Sequence, residues 1–216
     1  MKKDRKRILV TAGSTIEPID PVRYISNFST GLAGYEIAAA CAERGHKVCL
    51  ISGPSSIVPP MKVKVVHVST AREMMKAIEG LSGKIDCIVM AAAVCDFRPV
   101  KEAKRKIKTK RGFSLNLVRN PDIIAGIKPE KEQIRIGFAL ETGTIENCRK
   151  KALRKIRKKG LDLIVLNTKT PSLDPFGAGR KDFALLWKDG REKRLKGITK
   201  KAMARILVEE AERMMR

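Results

Sequence analysis

The chain has 216 residues, 43% of them hydrophobic, which suffices to bury one sizeable core. No run approaches the roughly 20 uninterrupted apolar residues of a membrane span, and the start leads into a strand pattern without an apolar leader, so the expectation is one cytoplasmic domain over residues 1–216, with no membrane partner. The net charge of +23 would suit nucleic acid, but residues 1–100 hold 14 Lys/Arg against 9 Asp/Glu and residues 101–216 hold 32 against 14; the excess marks particular segments, and no nucleic-acid partner is expected.

Residues 7–13 form a short apolar run ending in Gly13, and residues 32–44 follow with helical spacing and Gly45 as a stop, which opens a strand–helix unit. Residues 47–53 and 63–68 predict the next strands, Thr70 caps a helix to about residue 81, and residues 86–93 predict a fourth strand. Residues 97–114 are polar and strongly basic without periodicity, so they read as an exposed, mobile flap. Asn120-Pro121 predicts an N-cap with proline at the first helical position, opening a short helix through Ile127. Residues 134–140 are a fifth strand, 145–159 a basic helix and 161–167 a sixth strand. Residues 182–187 and 191–196 flank Asp189-Gly190, a hairpin signal, and Thr199 caps a final helix. Nearly all-apolar strands alternating with helices imply an α/β fold: a mostly parallel sheet with helices on both faces and a C-terminal β-hairpin plus helix.

In such a sheet ligands sit outside the carboxyl ends of the strands, so the segments after each strand carry the chemistry. The excursion over residues 11–34 is far longer than a strand–helix loop needs. Its last part, from Asn27 through Ser29, Thr30 and Gly31 to Gly34, brings N–H groups and hydroxyls to a helix start, which either holds phosphate or merely caps the helix. The fourth strand ends in Ala91-Ala92-Ala93-Val94-Cys95-Asp96. Small side chains admit a flat base, and Asp96 either accepts from ribose hydroxyls or an exocyclic amine or caps the loop. Phe138 stacks on a base or completes the core. Lys155 and Lys159 share a helix face and either converge on a triphosphate or stay solvated. Lys106, on the flap, is placed to close a cation over a nucleotide. The five cysteines form no C-x-x-C pair, and His46 and His67 have no acidic or thiol partner at ligand spacing, so neither disulfides nor a structural zinc site is expected.

Taken together, Ile8-Leu-Val-Thr-Ala-Gly13, Glu17-Pro-Ile-Asp-Pro-Val-Arg-Tyr-Ile-Ser-Asn-Phe-Ser-Thr-Gly31, Ser52-Gly-Pro54, Ala91-Ala-Ala-Val94 with Asp96, Lys106-Ile-Lys108, Asn120-Pro-Asp-Ile-Ile124, Gly137-Phe138 with Glu141-Thr142, Asp162-Leu-Ile-Val-Leu-Asn167 and Phe176-Gly177 run across nearly the whole chain. In that order they resemble the bacterial phosphopantothenoylcysteine synthetase, in a stand-alone form. The resemblance implies a Rossmann-like, doubly wound fold and a homodimeric acid–amine ligase of coenzyme A biosynthesis. It implies that CTP, with ATP left open, activates 4′-phosphopantothenate to an acyl-cytidylate, and that the cysteine amine then displaces CMP, with Mg²⁺ as cofactor and its ligands unassigned. Carried over by position, Asn27 holds the acyl phosphate and Lys106 comes from the flap, with Lys104 and Lys108 as neighbouring candidates. Gly13, Ser29, Thr30, Gly31, Ala91, Ala92, Ala93, Asp96, Pro121, Asp122, Ile123, Ile124, Phe138, Lys155 and Lys159 bind the nucleotide. Cys95 stands where the family usually has alanine, and no FMN is expected, because the flavin-dependent half to which many such enzymes are fused is not seen.

A nicotinamide-dependent Rossmann-fold reductase is the alternative, since Thr30-Gly31-Leu32-Ala33-Gly34 imitates a dinucleotide fingerprint. Against it, residues 51–54 lack the acidic residue that holds a ribose, and neither tyrosine is followed four positions later by a lysine. A nucleic-acid module is third, supported by charge alone in a chain with 4% aromatic content.

Overall fold

The protein is described by a computed structural model covering residues 5–81, 85–109, 112–169 and 179–216; Phe176-Gly177 lies outside the described residues. In chain order the elements are β1 (Arg7–Ala12), β2 (Ile16–Pro18), β3 (Tyr24–Ser26), α1 (Leu32–Glu43), β4 (Lys47–Ser52), β5 (Val63–His67), α2 (Ala71–Glu79), β6 (Cys87–Met90), β7 (Phe97–Pro99) and β8 (Leu117–Arg119). They continue with α3 (Ile123–Gly126), β9 (Ile134–Thr142), α4 (Ile145–Lys159), β10 (Leu163–Lys169), β11 (Lys181–Trp187), β12 (Glu192–Ile198) and α5 (Lys200–Met214).

Alternation along the strands divides the core into two layers. Ile8, Val10 and Ala12 of β1 pack on the face covered by α1 and α5, while Leu9 packs on the opposite face with Met74 and Ile78 of α2, Ile123 of α3 and Ile156 of α4. The eight-stranded sheet has the order β12-β11-β10-β9-β6-β1-β4-β5, parallel from β10 to β5. β11 and β12 extend it antiparallel, as the Asp189-Gly190 hairpin predicts. The chain winds outward from β1 through β4 to β5, then returns to β6 and winds the other way through β9 to β10. That reversal lies between β1 and β6, and it is where a doubly wound sheet opens a crevice.

Threonines start three helices. Thr70 accepts from Glu73 N at 3.1 Å, Thr144 from Asn147 N at 3.3 Å and Thr199 from Ala202 N at 3.1 Å. Gly160 ends α4 in the left-handed conformation.

The structure departs from the sequence expectation in three places. The excursion after β1 contains its own antiparallel pair, β2 with β3. It is anchored by Glu17, a buried carboxylate that accepts from Ala71 N at 2.9 Å in the first turn of α2. The flap is not irregular throughout, because its base is the antiparallel pair β7–β8, with Arg98 opposite Val118. Three-residue strands show no readable period, and pairing across a long loop has no local signal. Finally, α3 begins later than the Asn120 cap predicts. Asp122 is the N-cap, accepting from Ala125 N at 3.5 Å, because the Asn120 amide is taken by Cys95 O at 2.9 Å and by Arg98 Nη1 at 3.0 Å.

Among the described residues no helix is long and apolar enough to cross a membrane. The five cysteines are free, and four of them are buried.

Candidate functional site

The carboxyl ends of β1 and β6 are stitched together by the segment that the sequence singles out. Thr11 Oγ1 accepts from Ala92 N at 3.1 Å, Thr15 Oγ1 accepts from Cys95 N at 2.9 Å, and Ala93 N donates to Gly13 O at 2.9 Å. Residues 91–95 are therefore held along the first excursion by backbone and threonine bonds. Small side chains at 91–93 keep the crevice floor thin. Asn27, just after β3, sits exposed at the rim, and its Nδ2 donates to Val94 O at 3.0 Å and Ala93 O at 3.3 Å.

Two cavities open on this floor and share Ala92 and Phe138. The first, about 230 Å³, is lined by Asp96, by Pro121 through Ile124, and by Lys155 and Lys159. The second, about 190 Å³, is lined by Ser29, Thr30 and Gly31, by Ala91 and Ala93, and by Asn167 and Lys200. Nine of the predicted nucleotide residues thus converge on the first cavity and seven on the second, counting the shared pair twice. Gly13 lies beneath: a Cβ on Gly31, whose φ is +82°, would come within 2.8 Å of Gly13 N, so only a glycine at 31 lets the start of α1 approach the Gly13 backbone this closely.

The charge in the two cavities comes from different sources. No side chain caps α1 from its Gly31 N-cap position; Gly31 N donates to Ser29 Oγ and Leu32 N to Thr30 Oγ1, each at 3.3 Å, and the N–H groups that follow offer a positive end to an anion. Lys200, at the start of α5, adds a buried cation to the same cavity. In the first cavity Lys155 is held by Glu141 at 2.6 Å and Lys159 by Asp122 at 3.0 Å. These partners preset the lysines while leaving them partly exposed, so an incoming polyanion competes for cations already oriented.

Beside the site, burial pushes the Cys95 thiol above its ordinary value, which keeps it neutral and unsuited to nucleophilic work. Burial also pulls the Arg135 guanidinium below its ordinary value. That side chain donates through Nη2 to the carbonyls of Ile124 and Ile127 and ties α3, one wall of the first cavity, to β9.

Lys106 is exposed and lines neither cavity. Sequence reasoning did not assign roles to Thr11, Thr15, Arg135 and Lys200. Arg135 had a signal, a charge inside the apolar run of its strand. Lys200 had none, since it follows a helix cap in a basic tail and reaches the crevice only through the packing of α5 on α1.

A family model described as the DNA/pantothenate metabolism flavoprotein C-terminal domain matches residues 3–214. The Escherichia coli coenzyme A biosynthesis bifunctional protein CoaBC is 40% identical over 209 residues, covering 94% of this chain and 50% of that protein. The chain spans about half the length of the curated relatives it matches. Among solved structures, the C-terminal domain of a CoaBC protein superposes with a TM-score of 0.81 at 35% identity, covering 97% of this chain and 95% of that one. A Cab2 mutant in complex with phosphopantothenate-cysteine has the same fold, with a TM-score of 0.76 at 16% identity, covering 97% of this chain and 87% of that one.

Proposed function

Because the chain belongs to the DNA/pantothenate metabolism flavoprotein C-terminal domain family, we propose that it is the phosphopantothenate–cysteine ligase of coenzyme A biosynthesis and that it activates 4′-phosphopantothenate with CTP. The observation that carries this reading is the pair of cavities meeting at Ala92 and Phe138, one walled by two lysines and the other by an open helix start and Lys200. A carboxylate is a poor electrophile until it becomes a mixed anhydride, and forming one brings several anions together. Positive groups distributed over adjoining cavities offset that repulsion.

In the first half-reaction a pantothenate carboxylate oxygen bonds to the α-phosphorus of CTP while the bond to pyrophosphate breaks. In the second, the cysteine amine bonds to the acyl carbon, CMP leaves with the electron pair, and the amine loses a proton. Ala91 through Ala93 with Asp96 receive base and ribose, Pro121 through Ile124 and Phe138 flank them, and Lys155 and Lys159 take phosphate oxygens. Gly13, Ser29, Thr30 and Gly31 form the floor and N–H surface for a further anionic group. Asn27 commits Nδ2 to two carbonyls, which leaves Oδ1 for an N–H of the substrates. Lys106 would supply its charge from the flap. Phosphopantothenate-cysteine, which the Cab2 mutant holds, is the product such a ligase releases.

Mg²⁺ fits this donor set. Among the described residues no three His, Cys, Asp or Glu side chains gather as a metal cage, and a hard cation of this kind keeps waters and takes substrate phosphate oxygens, with Asp96 the carboxylate of the first cavity that is not paired to Lys159, as Asp122 is. Bound there it would supply charge neutralisation at the triphosphate.

A homodimer belongs to the same proposal. Val22, Tyr24, Phe28, Phe97, Val100 and Leu117 are large apolar side chains, 43 to 84% exposed, on the β2–β3 and β7–β8 pairs and their flanks. Such a patch suits a second copy of the chain. Light scattering on the purified protein tests it, and a monomer at all concentrations refutes it.

The activity test supplies phosphopantothenate, cysteine and Mg²⁺ with CTP or ATP in parallel. Release of pyrophosphate and CMP, faster with CTP, is expected. NADPH oxidation or salt-sensitive DNA binding in place of pyrophosphate release would reassign the function.

A further inference from the structure

The turn between β2 and β3 and the basic flap are joined by a contact that no nucleotide-binding role requires. Asp20 has a fully buried side chain on the turn. Its Oδ1 accepts from Val22 N at 2.9 Å and Arg23 N at 3.0 Å, which closes the turn locally. Its Oδ2 accepts from Arg23 Nε at 3.1 Å and also from Ile107 N at 3.1 Å, across to the flap. Arg23 Nη2 completes the grip by donating to Ile107 O at 3.0 Å. One flap residue is therefore held by both its N–H and its carbonyl, between Lys106 and Lys108.

Two further contacts run the same way. Ala103 N donates to Ile19 O at 2.9 Å, and the Arg23 guanidinium lies 5.2 Å from the centre of the Phe113 ring. The chain then passes from Arg23 through β3 directly to Asn27. Flap and Asn27 thus share one short, rigid support.

We infer that Asp20 and Arg23 are positioning residues which, by clamping the Ile107 peptide, set the flap and its lysines relative to Asn27. The inference rests on the ligase reading for its catalytic consequence, but the clamp itself is a structural claim. The Arg23 guanidinium, followed by the N–H groups of Val22, Ile107 and Arg23, holds the Asp20 carboxyl well below the ordinary carboxylate range despite its burial, so the grip stays charged at neutral and mildly acidic pH.

The test uses the full chain with Asp20→Asn, which removes the charge, and Ile107→Pro, which deletes the flap's N–H donor and leaves the buried carboxylate in place should the first variant fold poorly. Trypsin cleavage after Lys101, Lys104, Arg105 and Lys108, sites that do not precede the new proline, is expected to accelerate about tenfold or more, the loss of one charge-assisted hydrogen bond expressed as local opening. The kcat for pyrophosphate release should fall about tenfold or more, while the KM for CTP stays within about threefold, because the cavity walls are untouched. Unchanged cleavage in Ile107→Pro overturns the clamp. Faster cleavage with unchanged kcat, or equal losses in kcat and CTP affinity alongside a lowered melting temperature, overturns the positioning role. A wild-type protein that releases no pyrophosphate sinks the ligase reading instead, and the proteolysis arm then decides the clamp alone.

Discussion

Replacing Asn27 by aspartate changes almost no volume and reverses the hydrogen-bonding character of one atom. Asn27 Nδ2 donates to Val94 O at 3.0 Å and Ala93 O at 3.3 Å; an ionised carboxylate donates to neither and faces two carbonyl oxygens instead. Each bond contributes about 0.5–1.5 kcal/mol net, and because the residue is exposed and water can re-solvate the carbonyls, the lower half applies: about 1–2 kcal/mol in all. For a chain of this length each kcal/mol moves the melting temperature by about 2–4 °C, so a fall of about 2–8 °C is expected. The catalytic cost is larger. In the proposed reaction, a second negative charge about 4 Å from the acyl phosphate, at an effective dielectric near 20, would raise the energy by about 4 kcal/mol. That corresponds to roughly a thousandfold in rate. Melting followed by circular dichroism, with pyrophosphate release on the same preparation, measures both. Acid should narrow the melting difference below about pH 4, where the introduced carboxyl takes a proton and regains a donor. An Asn27→Asp protein that melts with wild type and keeps its kcat within threefold would refute the placement of Asn27 in both fold and chemistry.

Two further outcomes follow from the geometry. Gly34→Ala puts a Cβ 2.6 Å from Ala12 Cβ and 2.7 Å from Thr11 O, forcing α1 away from β1. An overpacking cost of about 1–3 kcal/mol should appear as a lower urea midpoint at unchanged slope, and an unchanged midpoint would show that the helix gives way freely. Lys155→Met removes a cation from the first cavity while Lys151 remains 3.5 Å from Glu141. Stability should change by less than about 1 kcal/mol because the pair is partly exposed, whereas calorimetry should show CTP affinity reduced about tenfold; equal affinity removes Lys155 from the site.

Much of the architecture was written in local pattern. The alternation Ile8-Leu9-Val10 has one set of side chains on α1 and α5 and the other on α2 and α4, so the two-layered core is visible in three consecutive residues. Thr70 and Thr199 act as the caps their positions predict. The alanine run after β6 and the glycine-led start of α1 meet at the crevice because the winding order, readable from alternating strands and helices, brings the ends of β1 and β6 together. These features depend on neighbours within a turn or two, where residue type alone selects conformation.

Other features required the folded chain. β2–β3 and β7–β8 are too short to show a period, and their pairing partners are fixed by loop closure. Asn120 satisfies every local rule for an N-cap, but Cys95 O and Arg98 hold its amide more favourably, and Asp122 takes its place. Lys200 enters the second cavity from the last helix, and Asp20 grips Ile107 from 87 residues away. Such contacts carry no trace in the sequence because a hydrogen bond or ion pair between distant segments depends on where the core has placed both backbones. The chain's own letters determine which groups are available; the packed sheet alone decides which of them meet.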